Sequence, residues 1–201
     1  MDNKKEQTLE ERLEEIKPKE KTKDGTEKEA EDLTLRYVAP HKKVSRNVTD
    51  SDLKFVMDEA HIMFSLLFTP YKNCLGGYAI AHQQINNVEP LRFFVTKDQE
   101  IIINPVITKH TRHTVDSEEG CLTFADMPTK IIQRYNKIEV EYYTLVGTGD
   151  LSEKKEISLS GHKAFEYEHE LDHFECEYIW NEEQIKKYNE DKEKLNNKQT
   201  K

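Results

Sequence analysis

Apolar residues recur every three or four positions in the segment TDSDLKFVMDEAHIMFSLLF, residues 49–68. This spacing places them on one face of a helix, and the Thr and Asp residues at its start are typical of helix N-termini. The apolar positions that share this face are Leu53, Val56, Met57, Ala60, Met63, Phe64 and Leu67. The pattern therefore predicts a helix that packs one face against a hydrophobic core.

The spacing of the apolar residues changes after Pro70. Gly76 and Gly77 interrupt the chain, and the segments LRFFV, EIIINPVI and KIEVEYYTLV, rich in β-branched and aromatic residues, predict strands. After Gly161 a helical period returns in GHKAFEYEHELDHFECEYIW. The order helix, strands, helix, without internal repeats, predicts an α+β fold with a small, mostly antiparallel sheet.

The two ends of the chain differ from its middle. Residues 1–34 are mostly Lys, Glu, Asp, Thr and Gln, and we expect a segment with so few apolar groups to be disordered. Residues 35–180 carry the predicted core, and residues 181–201 form a charged helix or tail. A chain of 201 residues has room for one domain with a hydrophobic core.

Charge and cysteine content narrow the classes of function. The net charge of −9 argues against a general nucleic-acid binder and against attraction to anionic membranes. No run approaches the roughly 18 apolar residues of a membrane span, and the N-terminal segment lacks the apolar core of a signal peptide, so we expect a cytoplasmic protein. Three cysteines, an odd number, favour free thiols or a thiolate ligand over a disulfide framework.

The motif HELDH, at residues 169–173, is the first candidate for chemistry. Two histidines four apart on a helix lie one turn above each other, so both imidazoles reach one ion while the intervening Glu170 lies beside it. The simpler interpretation is an amphipathic helix whose histidines fall at this spacing by chance. A hydrolytic metal site also needs a third protein ligand and an open position for water.

Several residues compete for the place of the third ligand. The sequence FECEYIW after the motif has neither Gly nor His, which excludes the HExxHxxGxxH pattern. The downstream glutamates and Cys176 lie on or near the same helix or in the charged tail, where a tetrahedral site is hard to complete. Cys121 in EEGCLTF is the best remaining candidate, because Gly120 allows a close backbone approach and the apolar residues after it suggest a buried strand.

Three motifs, in order across residues 35–180, resemble those of the peptide deformylase family. EHELDH at residues 168–173 is similar to the family's QHExDH, and EGCLT at residues 119–123 is similar to its EGCLS. GYAIAHQQ at residues 77–84 is a degenerate form of GxGLAAxQ. The resemblance implies the family's fold, with the sheet packed around a central metal-binding HExxH helix.

The departures from the family motifs are concentrated in the first of them. Ala79, Ile80 and His82 stand where the family has glycine, leucine and alanine, and Glu168 replaces the glutamine of the third motif. None of the four is an implied ligand or base. We expect Ala79 to alter the backbone that pairs with a peptide and His82 to be a packing or solvent residue.

The resemblance implies hydrolysis of the N-formyl group from the formyl-methionine of newly synthesised proteins, with release of formate. It implies that Cys121, His169 and His173 hold one divalent ion, which in the family is typically Fe²⁺, with Zn²⁺ or Ni²⁺ as alternatives. Asp172 is expected to orient a ligand histidine or neighbouring backbone, as carboxylates behind a metal ligand do.

Three further residues receive catalytic roles from the resemblance. Glu170 is the implied general base, which takes a proton from water and later delivers it to the leaving amine. Gln84 and the backbone N–H of Leu122 are the implied donors to the oxyanion, and the register favours Gln84 over its neighbour. Glu119 and Arg134 are expected to pair and brace the second motif, with surface salt bridging as the alternative.

Substrate contacts are expected from two segments. Gly77, Tyr78 and Ala79 belong to the first motif, whose backbone would run beside the peptide. Phe165 and Glu166 lie four and three residues before the first ligand histidine, on the same helix face, and are expected to border the methionine pocket. An ionised Glu166 there must turn to solvent or find a partner, because desolvating it costs free energy.

The expected partners are N-formyl-methionyl nascent peptides and the ribosome near its exit tunnel, with no specific nucleic acid and no membrane. The alternative is a degenerate relative that binds nascent peptide or a ribosomal partner without turnover. A metalloprotease needs a downstream ligand that we do not find. The intact HELDH, Cys121 and Gln84 favour the hydrolase.

Overall fold

The computed structural model describes residues 42–68, 77–85, 88–124, 127–147 and 149–199. The predicted N-terminal extension and Cys74 lie outside the described residues. In this part of the chain the α-helices are α1 (Leu53–Phe68), α2 (His162–Phe174) and α3 (Glu182–Gln199). Short 3-10 turns cover Asp50–Asp52, His82–Gln84 and Leu122–Phe124.

The strands of the described residues are β1 (Ala79–Ala81), β2 (Phe93–Thr96), β3 (Ile101–His110), β4 (Thr114–Glu119), β5 (Lys130–Tyr135), β6 (Lys137–Tyr143), β7 (Leu145–Val146), β8 (Asp150–Leu151) and β9 (Lys155–Ser160). The main sheet has the order β1-β2-β3-β6-β9 with antiparallel neighbours, and β4-β5 and β7-β8 form two small separate sheets. The predicted α+β class and the mostly antiparallel sheet are confirmed.

The main sheet lies between α1 and α2. Alternate residues of its strands face opposite sides of the sheet, so each strand can pack against both helices. Phe93 and Val95 of β2 belong to the cluster formed with α1, whereas Phe94 between them belongs to the cluster formed with α2. All three side chains are fully buried. The two helices predicted from the apolar period are thus held on opposite faces of one sheet.

The strands that the apolar pattern did not predict are the short or polar ones. The hairpin of β4, TVDSEE, and β5, KIIQRY, pairs antiparallel from Thr114 opposite Tyr135 to Glu119 opposite Lys130. Its residues are largely charged or exposed, so the hydrophobic signal of a buried strand is absent from β4. Backbone hydrogen bonds between the two strands hold this hairpin together, and they do not depend on which side chains the strands carry.

Helix α2 begins immediately after Gly161, which has a φ of 58° that suits glycine. It ends at Phe174, and Cys176 beyond it has a φ of 60°. In the part of the chain described above, no helix is both long enough and apolar enough to cross a membrane.

Asn104 joins the segment before α1 to the sheet. Its φ of 49° falls in the left-handed region, which asparagine tolerates better than most residues. Its side-chain Oδ1 accepts a hydrogen bond from the Val48 N–H at 2.8 Å, and its Nδ2 donates to the Val48 carbonyl at 2.9 Å. The side-chain amide of Asn104 therefore forms hydrogen bonds with both the N–H and the carbonyl of Val48, as a neighbouring strand would.

We expect Asn104→Ala to lower the free energy of unfolding by roughly 2–3 kcal/mol, because two hydrogen bonds are lost and alanine is strained at this φ. Urea unfolding followed by circular dichroism measures the change. Asn47→Ala, at an exposed position nearby, is the control and should change stability by less than about 0.5 kcal/mol. Equal losses for the two variants would show that the Asn104 contacts contribute nothing.

Candidate metal centre

Cys121, His169 and His173 meet at the inner face of α2. One potential ligand atom from each residue lies within 4.8 Å of the others, and Cys121 Sγ is 3.4 Å from His173 Nε2. The two imidazole rings have centroids 4.8 Å apart and are nearly perpendicular, at 87°. The four-residue spacing on the helix and a thiol from a distant segment thus create one three-donor cluster.

Cys121 reaches this cluster from the end of the β4–β5 hairpin. It follows Glu119 at the end of β4 and starts a 3-10 turn, in which the Phe124 N–H donates to the Cys121 carbonyl at 2.9 Å. The expectation that the residues after Cys121 form a buried strand is therefore wrong. A 3-10 turn closes its hydrogen bonds within the segment, so the residues after Cys121 need no partner strand.

Glu119 connects the hairpin to the first histidine. Its Oε2 lies 2.8 Å from His169 Nδ1, and both of its oxygens accept hydrogen bonds from Arg134, at 2.8 and 2.9 Å. Arg134 also donates to Asp172 at 2.5 Å. The predicted Glu119–Arg134 pair is present and buried. Among the described contacts Glu119 reaches the histidine, whereas Asp172 accepts from Arg134.

The protonation of Glu119 follows from its partners. Burial opposes its ionisation, but the hydrogen bonds from His169 and Arg134 outweigh burial and lower the pKa of Glu119 to about 2. When His169 is the neutral imidazole that a metal ligand must be, an ionised Glu119 holds its hydrogen on Nδ1 and leaves Nε2 with a free electron pair. One thiolate and two imidazoles suit zinc and ferrous iron alike, so the residues present fit a divalent ion.

Glu170 lies on the same helix, next to the donors and outside their cluster. Its side chain is buried, and its Oε2 atom has no hydrogen-bond partner among the described residues. Burial raises the pKa of Glu170 to about 7, although the charge of His169 and the Ala81 backbone oppose this rise. A carboxyl group in this state can both accept and release a proton near neutral pH.

The two glutamines of the first motif point to different places. Gln84 Oε1 accepts from the Ala81 N–H at 2.8 Å, and Gln84 Nε2 donates to Thr123 Oγ1 at 3.1 Å and lies 3.8 Å from Cys121 Sγ. Gln83 instead faces Ser45 and the end of α2. Of the two, only Gln84 contacts the cysteine of the cluster, as the register of the motif suggests.

The contacts of Gln83 form a network that sequence reasoning missed. Its Oε1 accepts from Ser45 at 2.5 Å, and its Nε2 donates to the Lys43 carbonyl at 2.6 Å and to Cys176 Sγ at 3.1 Å. Cys176 is therefore engaged away from the three-donor cluster. No signal in the sequence indicates these contacts, because the partners are far apart along the chain.

The first motif meets the second where Gly77 approaches Leu122. A Cβ atom on Gly77 would lie only 2.8 Å from Leu122 Cδ1, so a side chain at this position would require the Leu122 side chain to move. Tyr78 is 62% exposed, and Lys97 Nζ lies 5.6 Å from the centre of its ring. Ala79 is buried at the start of β1, the edge strand of the main sheet.

The two residues expected at the methionine pocket lie on α2. Phe165 is partly buried against the core cluster on this side of the sheet. Glu166 has a side chain that is 14% exposed and forms an ion pair with Lys163 at 3.1 Å. Lys163 is thus the partner that a buried carboxylate requires, and Glu168 nearby accepts a hydrogen bond from the Tyr135 N–H.

Comparison with known proteins agrees with the motifs. Residues 36–189 match the sequence profile of the family described as polypeptide deformylase. The chain belongs to the peptide deformylase family. Among curated relatives, peptide deformylase 1B, chloroplastic, of Solanum lycopersicum is 29% identical over 132 residues, which cover 63% of this chain and 42% of that protein. The chain therefore spans less than half the length of this tomato protein and of the other curated deformylases that it matches.

Two solved structures extend the agreement to the fold. The PDF of a Vibrio parahaemolyticus bacteriophage, in complex with actinonin, has 28% sequence identity and a TM-score of 0.56, with 71% of this chain and 99% of that chain covered. The peptide deformylase of Thermotoga maritima also has 28% identity, with a TM-score of 0.52 and coverage of 74% and 89%. The predicted deformylase family is confirmed by sequence and by architecture.

The geometry makes Cys121 a donor and Cys176 a residue outside the donor cluster. We expect Cys121→Ala to lose bound metal, because two imidazoles alone leave the cluster without its thiolate. Cys176→Ala is the matched control and should retain the wild-type metal content. Metal per chain, measured by plasma mass spectrometry after anaerobic purification and dialysis, distinguishes the two. The reverse order of metal loss would refute this ligand set.

Proposed function

We propose that this protein is a metal-dependent hydrolase that removes the formyl group from the N-terminal formyl-methionine of newly synthesised proteins. One observation carries the proposal: Glu170, a buried carboxyl with an unpartnered oxygen, stands beside the cluster of Cys121, His169 and His173. This combination of three donors and an uncoordinated acid is suited to hydrolysis of an amide. Membership of the deformylase family supports the choice of substrate.

Cys121, His169 and His173 would hold one divalent ion, for which we propose Fe²⁺, with Zn²⁺ and Ni²⁺ as alternatives. When bound, such an ion lowers the pKa of water and so supplies a nucleophile near neutral pH. The protein's own contribution begins with Glu119, which fixes the tautomer and the direction of His169.

Proton transfer falls to Glu170. Water adds to the formyl carbon, the C–N bond breaks, and the products are formate and a free N-terminal amine. Glu170 takes the proton that water releases and delivers it to the departing nitrogen, so that one carboxyl serves as base and then as acid. Its raised pKa, about 7, matches this double role.

Gln84 and Leu122 would stabilise the negative charge that develops on the formyl oxygen. The Nε2 of Gln84 carries two hydrogens, of which one is donated to Thr123 Oγ1 at 3.1 Å and the other faces Cys121 Sγ at a longer 3.8 Å. The other hydrogen and the backbone N–H of Leu122, next to Cys121, are the proposed donors to the oxyanion. Donors fixed before the reaction cost no reorganisation when charge develops.

The peptide would lie along the first motif, at Gly77, Tyr78 and Ala79. Strand β1 is an edge of the main sheet, and an edge strand offers backbone groups to an extended peptide. Phe165 and Glu166 on α2 are the proposed border of the methionine pocket. The absence of a side chain at Gly77 keeps this segment close to Leu122.

The competing function is that of a relative which binds nascent peptide or a ribosomal partner without turnover. Formate release from a formyl-Met peptide by anaerobically purified, metal-loaded protein tests the two against each other. Release that depends on metal supports the hydrolase. Full metal content without formate supports the binder, and binding of actinonin, which the phage relative binds in its crystal structure, then reports whether the site is formed.

The proposed setting is the cytoplasm, on chains that emerge near the ribosomal exit tunnel. The word chloroplastic in the name of the tomato relative applies to that protein. Cell fractionation with an antibody against this chain tests the compartment, and co-sedimentation with ribosomes tests the partner.

We expect Glu170→Gln to retain metal and to lower kcat by about 10²–10⁴-fold, because the amide cannot transfer the proton. Formate release and metal content are measured on the same preparation. Glu168→Gln, a neighbouring buried carboxyl on the same helix, is the control and should keep most of its activity. Loss of metal in Glu170→Gln would instead make Glu170 a ligand.

We expect Glu166→Leu to retain metal and turnover but to change the preference among formyl-Met, formyl-Leu and formyl-norleucine peptides, because an apolar wall replaces a charged one. The ratio of kcat/KM values for the three peptides is the measurement. Lys163→Met removes the ion-pair partner of Glu166 but leaves Glu166 in place. It therefore shows whether a change in preference comes from the lost ion pair or from the altered wall of the pocket. Identical ratios in wild type and Glu166→Leu would place Glu166 outside the pocket.

A further inference from the structure

A buried polar pair lies behind the turn that carries Gln84. Glu59 of α1 and His82, the first residue of the His82–Gln84 turn, both have fully buried side chains. Their Oε2 and Nε2 atoms are 3.4 Å apart. Glu59 is also the one charged residue among the buried positions of α1, whose other members are Val56, Ala60, Ile62, Met63, Leu66 and Leu67.

Hydrogen bonding fixes the orientation of the His82 ring. Its Nδ1 accepts from the Leu91 N–H at 3.0 Å, so Nδ1 carries no hydrogen and the ring hydrogen lies on Nε2, facing Glu59. The ring also stacks on Phe93, with centroids 4.7 Å apart and an angle of 21°. The ring thus has one hydrogen bond, at Nδ1, and one longer polar contact, from Nε2 to the Glu59 carboxylate, and it is buried away from any substrate.

The position of Gln84 depends on this turn. The Ile85 N–H donates to the His82 carbonyl at 3.0 Å and closes the turn. Within it, the Ala81 N–H holds Gln84 Oε1 at 2.8 Å, which directs Nε2 towards Thr123 and Cys121. A displacement of His82 would therefore move the amide at the metal centre.

We propose that Glu59 and His82 are positioning residues for Gln84, and that their contact fixes the turn in the orientation that aims the Gln84 amide at the reacting oxygen. Apolar side chains could fill the same volume without desolvating a carboxylate and an imidazole. The polar pair adds direction, because the attraction between the carboxylate and Nε2 favours one rotation of a ring that packing alone would leave less defined. The catalytic part of this inference rests on the proposed function.

Two substitutions of Glu59 separate the effect of its polar contact with His82 from the effect of the volume that its side chain fills. Glu59→Gln keeps a polar oxygen that can face His82 Nε2, whereas Glu59→Leu fills the space without a polar atom. Ile138→Val, a fully buried position in the cluster on the other face of the sheet, is the control for general loss of stability. His82→Phe, which keeps the stacked ring without its nitrogens, gives the same comparison if Glu59→Leu does not fold.

The first measurement does not need activity. In nitrogen-proton correlation spectra of the zinc-loaded full chain, the side-chain amide signals of Gln84 are identified by their loss in Gln84→Met. They should keep their wild-type positions in Glu59→Gln and Ile138→Val, and shift or broaden in Glu59→Leu. Unchanged Gln84 signals in a folded Glu59→Leu protein would overturn the proposal.

The second measurement is a double-mutant cycle on formate release. Glu59→Leu should lower kcat about tenfold with little change in KM, and should have no further effect when Gln84 is already Met. If the reductions in kcat caused by Glu59→Leu and Gln84→Met multiply in the double variant, Glu59 acts independently of Gln84 and the proposal is overturned. If the wild type releases no formate, the proposed function fails, and the amide signals alone decide whether the pair positions Gln84.

Discussion

The guanidinium of Arg134 is 5% exposed and lies between two carboxylates from different layers of the fold, Glu119 at the end of β4 and Asp172 on α2. The β4–β5 sheet is not part of the main sheet, so this contact is a direct polar link between the hairpin and the helix. Removal of one partner from a buried ion pair typically costs about 3–5 kcal/mol, because the remaining charge is left uncompensated. The geometry of the candidate metal centre depends on this link, since only Gly120 separates Cys121 from Glu119.

The same link determines the chemistry of the histidine. Arg134 holds Glu119 in its charged form, the charged Glu119 holds the hydrogen of His169 on Nδ1, and His169 thereby presents Nε2 to an ion. One carboxylate thus both joins the hairpin to the helix and contacts a histidine of the candidate metal centre. A substitution of Glu119 would therefore change both at once.

The parts of the site that the sequence predicts are those with a local signature. HELDH needs only the helical period to bring two histidines together, and the EGCLT motif identifies Cys121. The contacts that the sequence could not predict join distant segments, as in the pair of Glu59 and His82, and depend on strand register or on the rotation of a buried ring. The fold was accessible from apolar periodicity for α1 and α2, whereas the polar hairpin was not, because half of its residues face solvent.

Helix α2 has 13 residues, and two of its faces are already assigned. Ala164, Tyr167 and Phe174 pack into the core, while the histidines, Glu170 and Asp172 belong to the metal centre and its support. Few positions are left where a substitution would disturb neither packing nor chemistry. Among descendants of this chain, sequence drift should therefore be slow within this helix and fast at the exposed positions of the hairpin, even though both elements border the same centre.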